Sequence, residues 1–156
     1  MEKNKIARII FFILTIATAI IIFMFSNENK EQSGNTSKNF IEGIIEIFPK
    51  TKKLEQEEKE EIIKKAQPLI RKLAHFSIYT VLGINVMGYI ITYKNIEQKQ
   101  QIILAIITCI IYATSDEIHQ YFSSRGPSIL DVGIDTCGSM LGLCITKGTN
   151  KLTTKK

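Results

Sequence analysis

The 156-residue chain has no tryptophan, three prolines, three cysteines, two histidines, three aspartates and three arginines. The scarcities exclude several classes. Cys109, Cys137 and Cys144 show no C-x-x-C spacing, so neither a disulfide framework nor a thiolate metal site is expected. Their apolar surroundings lead to the expectation of small buried thiols. Charge is missing over long stretches, with no Asp, Glu, Lys or Arg from Ile9 to Asn27 or from Leu73 to Tyr93. Runs of that length can cross a hydrocarbon core of roughly 30 Å, which needs about 20 helical residues. A simple soluble globule is thereby excluded. A β-barrel is excluded too, because its strands would alternate in short segments.

What is present is segregated. Hydrophobic residues make up 45% and charged residues 22%, averages that resemble those of a soluble protein. Thirty residues are isoleucine, and ten of the fifteen acidic residues precede position 62. The net charge of +5 comes from lysines that flank the apolar runs. They form no basic stripe interleaved with aromatics, so they read as anchors of helix ends and no nucleic-acid partner is expected.

The expected fold is all-α, a single domain over 1–156. Four transmembrane helices over 6–25, 68–93, 101–122 and 129–146 form a small bundle. Lys3, Lys5 and Arg8 before the first run resemble the start of a signal peptide, but the run is long and Phe25-Ser26-Asn27-Glu28 is a poor cleavage site. A retained helix is the better reading. Residues 26–67 form a long charged loop, with 26–37 irregular. Within it Phe40, Ile41, Ile44, Ile45 and Phe48 share one side of a short amphipathic segment suited to a membrane interface. Residues 54–65 are helix-prone and mostly solvated. Pro68 suits the first turn of the second span. Residues 147–156 are a basic tail. Lysine and arginine in the short loops favour the cell membrane with both termini cytoplasmic.

Polar residues inside membrane helices are costly and need a reason. Both histidines, all three aspartates, and Arg71 and Arg125 fall at one end of the second, third and fourth spans or in the turn joining the last two. Arg71, His75 and Tyr79 recur every four residues and form a stripe. Asp116 and Gln120 do the same, with Glu117 and His119 flanking. Asp131, Asp135, Gly138 and Gly142 make a third stripe, whose Gly-x-x-x-Gly spacing permits close helix approach. Two readings compete. Arg71 or Arg125 pairs with Asp116, Asp131 or Asp135 to fix helix register, or the surplus of titratable groups marks a functional pocket. His75, Asp116, Glu117, His119 and Asp131 offer nitrogen and oxygen ligands, with His75, Asp116 and His119 the weak metal candidates. No compact metal motif appears, so neither metal nor cofactor is expected. Ser115 lacks the glycines of a nucleophile elbow.

At these residues the sequence resembles the VanZ family of bacterial membrane proteins. The matching segments are Arg71-Lys72-Leu73-Ala74-His75-Phe76 with Tyr79 and Leu82-Gly83; Asp116-Glu117-Ile118-His119-Gln120 with Phe122; Arg125-Gly126; Asp131; and Asp135-Thr136 with Gly138 and Gly142. Phe25-Ser26 resembles the family's polar segment after the first helix. Asp135 is a departure, since the family usually has Asn there. The resemblance implies a small four-helix membrane protein tied to teicoplanin-type glycopeptide resistance.

The expected function is binding of an anionic envelope ligand at the outer face: a membrane-lipid head group, a cell-wall lipid precursor or a lipoglycopeptide. Arg71, His75, Tyr79, Asp116, Glu117, His119, Gln120, Arg125, Asp131 and Asp135 are the expected ligand-binding residues. One alternative is an enzyme acting on a lipid-linked phosphate or sugar, with Asp116, Glu117 or His75 catalytic. A structural or partner subunit is another.

Overall fold

The computed structural model describes residues 2–28, 30–122 and 128–153. Among them are six helices and no strand: α1 (Glu2–Ser26), α2 (Lys30–Ile47), α3 (Pro49–Lys52), α4 (Gln56–Ile90), α5 (Gln98–Phe122) and α6 (Ile129–Thr153). Helices α1, α4, α5 and α6 are long and apolar enough to cross a membrane. They correspond to the four expected spans. Ile9, Ile10, Phe12, Ile13, Ile16 and Ile20 of α1 stay exposed. So large an apolar face suits lipid rather than water.

The connection between the first two spans is not the loop expected from its composition. Its polar start is taken into α2, and α4 begins at Gln56 rather than at residue 68. A capping box explains the early start: the side chains of Glu55 and Glu58 each accept a backbone N–H at the helix entrance. Pro68 therefore lies inside α4, not in its first turn. It leaves the Lys64 carbonyl without its usual helical donor. Packing offsets this loss. Ile63, with Ala66 and Ile70 beside it, packs on Ile41 and Ile45 of α2. Gln67 donates to the Gly34 carbonyl at 3.0 Å. Two residues of the expected interfacial face, Ile41 and Ile45, are thus buried on α4, while Phe40 and Phe48 remain exposed.

At 1.5 Å per residue, α4 is roughly 52 Å long, about 20 Å more than a hydrocarbon core. Its charged first third projects beyond the bundle and carries α2 with it. The rest of α4 is the bundle's central post, touching α1, α2, α5 and α6. The main core joins Tyr79, Leu82, Val86, Met87 and Ile90 of α4 to Ala105, Cys109 and Ala113 of α5, Ile22 of α1 and Leu143 of α6. The small residues of α5 recur every four positions and let it approach closely.

The tightest contact is α4 on α6. A Cβ placed on Gly138 or Gly142 would meet the carbonyl of Phe76 or Thr80, and one on Gly83 would meet that of Ser139. The Gly-x-x-x-Gly spacing thus does what its geometry predicts, with Gly83 as its counterpart on α4. Polar ties hold α1 to the bundle: Asn85 Nδ2 donates to Thr18 Oγ1 at 3.0 Å, and Tyr112 Oη to the Ala19 carbonyl at 2.6 Å.

Candidate functional site

The helices alternate in direction, so the ends of α1 and α5 and the start of α6 lie at one end of the bundle. The i, i+4 stripes converge there. Tyr79 and Asp135 are 0% exposed, and Asp116 and Gln120 are buried beside them. His75, 22% exposed at its side chain, places Nδ1 3.7 Å from Asp135 Oδ1. Ligand atoms of His75, Asp116 and Asp135 all lie within 4.8 Å of one another. Gln120 Nε2 donates to Asp116 Oδ2 at 3.2 Å and to Ser26 Oγ at 3.3 Å, tying the centre to the end of α1. The tight α4–α6 packing sets Asp135 against α4. The glycines one and two turns below it on α6 permit that approach.

The other expected site residues are deployed differently. Glu117 accepts the backbone N–H of Ser128 at 2.9 Å and so secures the entrance of α6. A carboxylate is well placed there, because the start of a helix carries unsatisfied N–H groups. Asp131, in the first turn of α6, pairs with Lys72 at 3.7 Å and is 39% exposed. His119 stacks on Phe23, with ring centroids 4.6 Å apart. Of the three weak metal candidates, His75 and Asp116 come together, and the group that joins them within 4.8 Å is Asp135. The reason is angular. Positions 116 and 120 share the face of α5 turned to the bundle centre, while position 119 turns to α1.

The ion pairs also differ from expectation. Among the described residues Arg71 pairs with none of the three aspartates; Lys72 and His75 take Asp131 and Asp135. Arg125 lies outside the described residues. Arg71 instead lines a groove of about 480 Å³ between α1, α2 and α4. Its walls include Ile22, Phe25, Phe40, Ile70 and Ile78, and Ser33, Thr36, Ser37 and His75 also contribute. His75 therefore borders both the groove and the polar centre.

A family model for VanZ/LLP1 matches residues 11–150. The chain belongs to the VanZ/LLP1 family. No curated protein and no solved structure matches it. The matched region takes in all four apolar helices, the groove and the polar centre, so this is a multi-pass VanZ-like membrane protein.

Several residues of this VanZ-like site carry weak sequence signals. Ser139 is 1% exposed and one turn beyond Asp135, so extending the α6 stripe by four residues finds it. Tyr112 approaches Tyr79, with ring centroids 6.2 Å apart, but on sequence it is one more aromatic in an apolar run. The groove wall supplied by Ser33 and Ser37 has no sequence signal, because it exists only once α2 folds back on α4. Chemically, the arrangement offers two functions. The apolar groove with a guanidinium on its lining fits an amphiphile with an anionic head. The buried carboxylate–imidazole centre fits a proton or a cation.

Proposed function

We propose that this VanZ-family protein holds an anionic amphiphile of the cell envelope in the groove between α1, α2 and α4. A lipid head group, a cell-wall lipid precursor and a lipoglycopeptide share that chemistry. The groove carries the reading: its volume of about 480 Å³ suits a small-ligand site, and its walls are mainly apolar. Arg71 supplies a guanidinium to a lining that also holds Glu28, and it is able to grip a phosphate or carboxylate through two parallel N–H bonds. With both termini cytoplasmic, the groove opens toward the outer leaflet, where envelope precursors and glycopeptides meet. The family's link to glycopeptide resistance is consistent with such a ligand.

Two substitutions address the groove alone. Arg71→Ala removes the cation, and Ala74→Trp fills the space. Each is expressed in a deletion strain and compared with wild type at equal membrane abundance. Teicoplanin susceptibility and the lipids that copurify with the protein are read together. Both variants are expected to lose the resistance phenotype and the copurifying anionic lipid. Full wild-type behaviour in both would sink the reading.

A further inference from the structure

We propose that His75, Asp116 and Asp135 form a binding site for one divalent first-row transition cation of the zinc or manganese type. The inference is independent of what fills the groove.

The first ground is charge. Asp116 and Asp135 are two buried carboxylates in contact range, and no Lys or Arg among the described residues reaches either. The nearby Lys72 is taken by Asp131 at the partly exposed start of α6. An uncompensated buried carboxylate costs several kcal/mol, so the pair must take up a proton or a positive partner, and two carboxylates this close favour a cation shared between them. One imidazole cannot balance two carboxylates. A divalent ion does.

The second ground is distance. His75 Nδ1 and Asp135 Oδ1 are 3.7 Å apart, too long for a hydrogen bond. Two ligands on one tetrahedral zinc, each about 2.1 Å from the metal, sit roughly 3.4 Å from each other. The observed spacing is close to that, and the ligand atoms of all three residues lie within 4.8 Å of one another.

The third ground is the unmet bonding capacity. Both Asp135 oxygens lack a hydrogen bond among the described residues. The hydroxyl of the wholly buried Tyr79 likewise has no hydrogen-bond partner of ordinary geometry among the described residues. Buried polar atoms are nearly always satisfied, so several together mark a place for something that binds oxygen. Gln120 meanwhile holds Asp116 Oδ2, the kind of outer support that orients a metal ligand. One imidazole and two carboxylates are ligands of intermediate hardness, which suits zinc or manganese better than a thiolate-seeking ion. His75 lines the groove and so supplies a route in from outside.

The test is direct metal binding. Full-length protein, carrying a tag free of histidine, is purified in detergent and stripped with EDTA. It is then dialysed against zinc or manganese at fixed free concentration, and its metal content is measured by elemental mass spectrometry. One ion per chain is expected. Asp135→Asn and Asp116→Asn keep the side-chain shape and are expected to weaken binding by at least about 100-fold. Glu46→Gln, exposed on α2, is expected to bind as wild type does. Monodisperse elution and unchanged helix content identify folded variants, with His75→Gln replacing any that fail. Wild-type melting temperature should rise with added cation, and that of Asp135→Asn should not. A wild type that retains far less than one ion, or Asn variants that retain as much as wild type, would overturn the proposal.

Discussion

Replacing single glycines of α6 by alanine should move stability in opposite directions depending on which side of the helix they occupy. At Gly142 an added Cβ would meet the Thr80 carbonyl oxygen and lie 2.7 Å from the Ile84 nitrogen. Ordinary contacts between heavy atoms begin near 3.5 Å, so α4 and α6 must separate by on the order of 1 Å. Both partners are helix backbone and cannot rotate away. Overpacking of this kind costs about 1–3 kcal/mol, while alanine recovers up to about 1 kcal/mol of helix propensity. The net loss is about 1–2 kcal/mol. A Cβ added at Gly133 would meet nothing within 4 Å, so only the propensity gain remains there. At roughly 2–4 °C per kcal/mol for a chain of this size, Gly142→Ala should lower the melting temperature by about 2–8 °C. Gly133→Ala should raise it by up to about 4 °C. A fluorogenic thiol dye can follow unfolding in detergent, because Cys109 is buried. Cys137 and Cys144 are exposed and are changed to serine in the reference background. Shifts of the same sign at both glycines, or none at Gly142, would refute the close α4–α6 contact.

Two further predictions concern the ties to α1. Arg8 Nε and Nη2 donate to Thr92 Oγ1 and its carbonyl at 3.1 and 3.3 Å, and the guanidinium lies 3.9 Å over the Tyr93 ring. Arg8→Lys keeps the charge but not the planar fork, so it should lose about 1 kcal/mol, and a melting temperature equal to wild type would count against the fork. For Asn85 and Thr18, a double-mutant cycle with Asn85→Leu and Thr18→Val should give a coupling of about 0.6 kcal/mol, the usual size inside a membrane bundle. Additive effects would mean that the 3.0 Å bond carries no stability.

Much of the site was legible as stripes. The i, i+4 spacing of Arg71, His75 and Tyr79, of Asp116 and Gln120, and of Asp131 and Asp135 comes from the helix period alone, and it puts each set on one face of its helix. Spacing along one helix does not say which neighbour a stripe meets. For that reason His119 and Glu117, adjacent in sequence to Asp116 and Gln120, take other partners: Phe23 and the Ser128 N–H. Arg71 and Lys72 likewise differ by about 100° around α4, and that angle sends one to the groove and the other to Asp131.

The connection from Ser26 to Gln67 was misleading for the opposite reason. Its composition is that of a loop, and the apolar side at 40–48 does not say which partner buries it. Ile41, Ile45 and Ile63 become a small core only when α2 lies along the projecting part of α4. The groove is made by the same docking.

The membrane character, the four spans and the scarcity of buried charge follow from local chemistry, because a charge-free run of about 20 residues has the same consequence in any fold. Which scarce groups share a site is a matter of helix rotation and pairing, and these depend on contacts distant in sequence. Gly83, Gly138 and Gly142 illustrate the division. Their lack of a side chain is written in the chain, but only the packing of α6 on α4 turns it into the close approach that seats Asp135 beside His75.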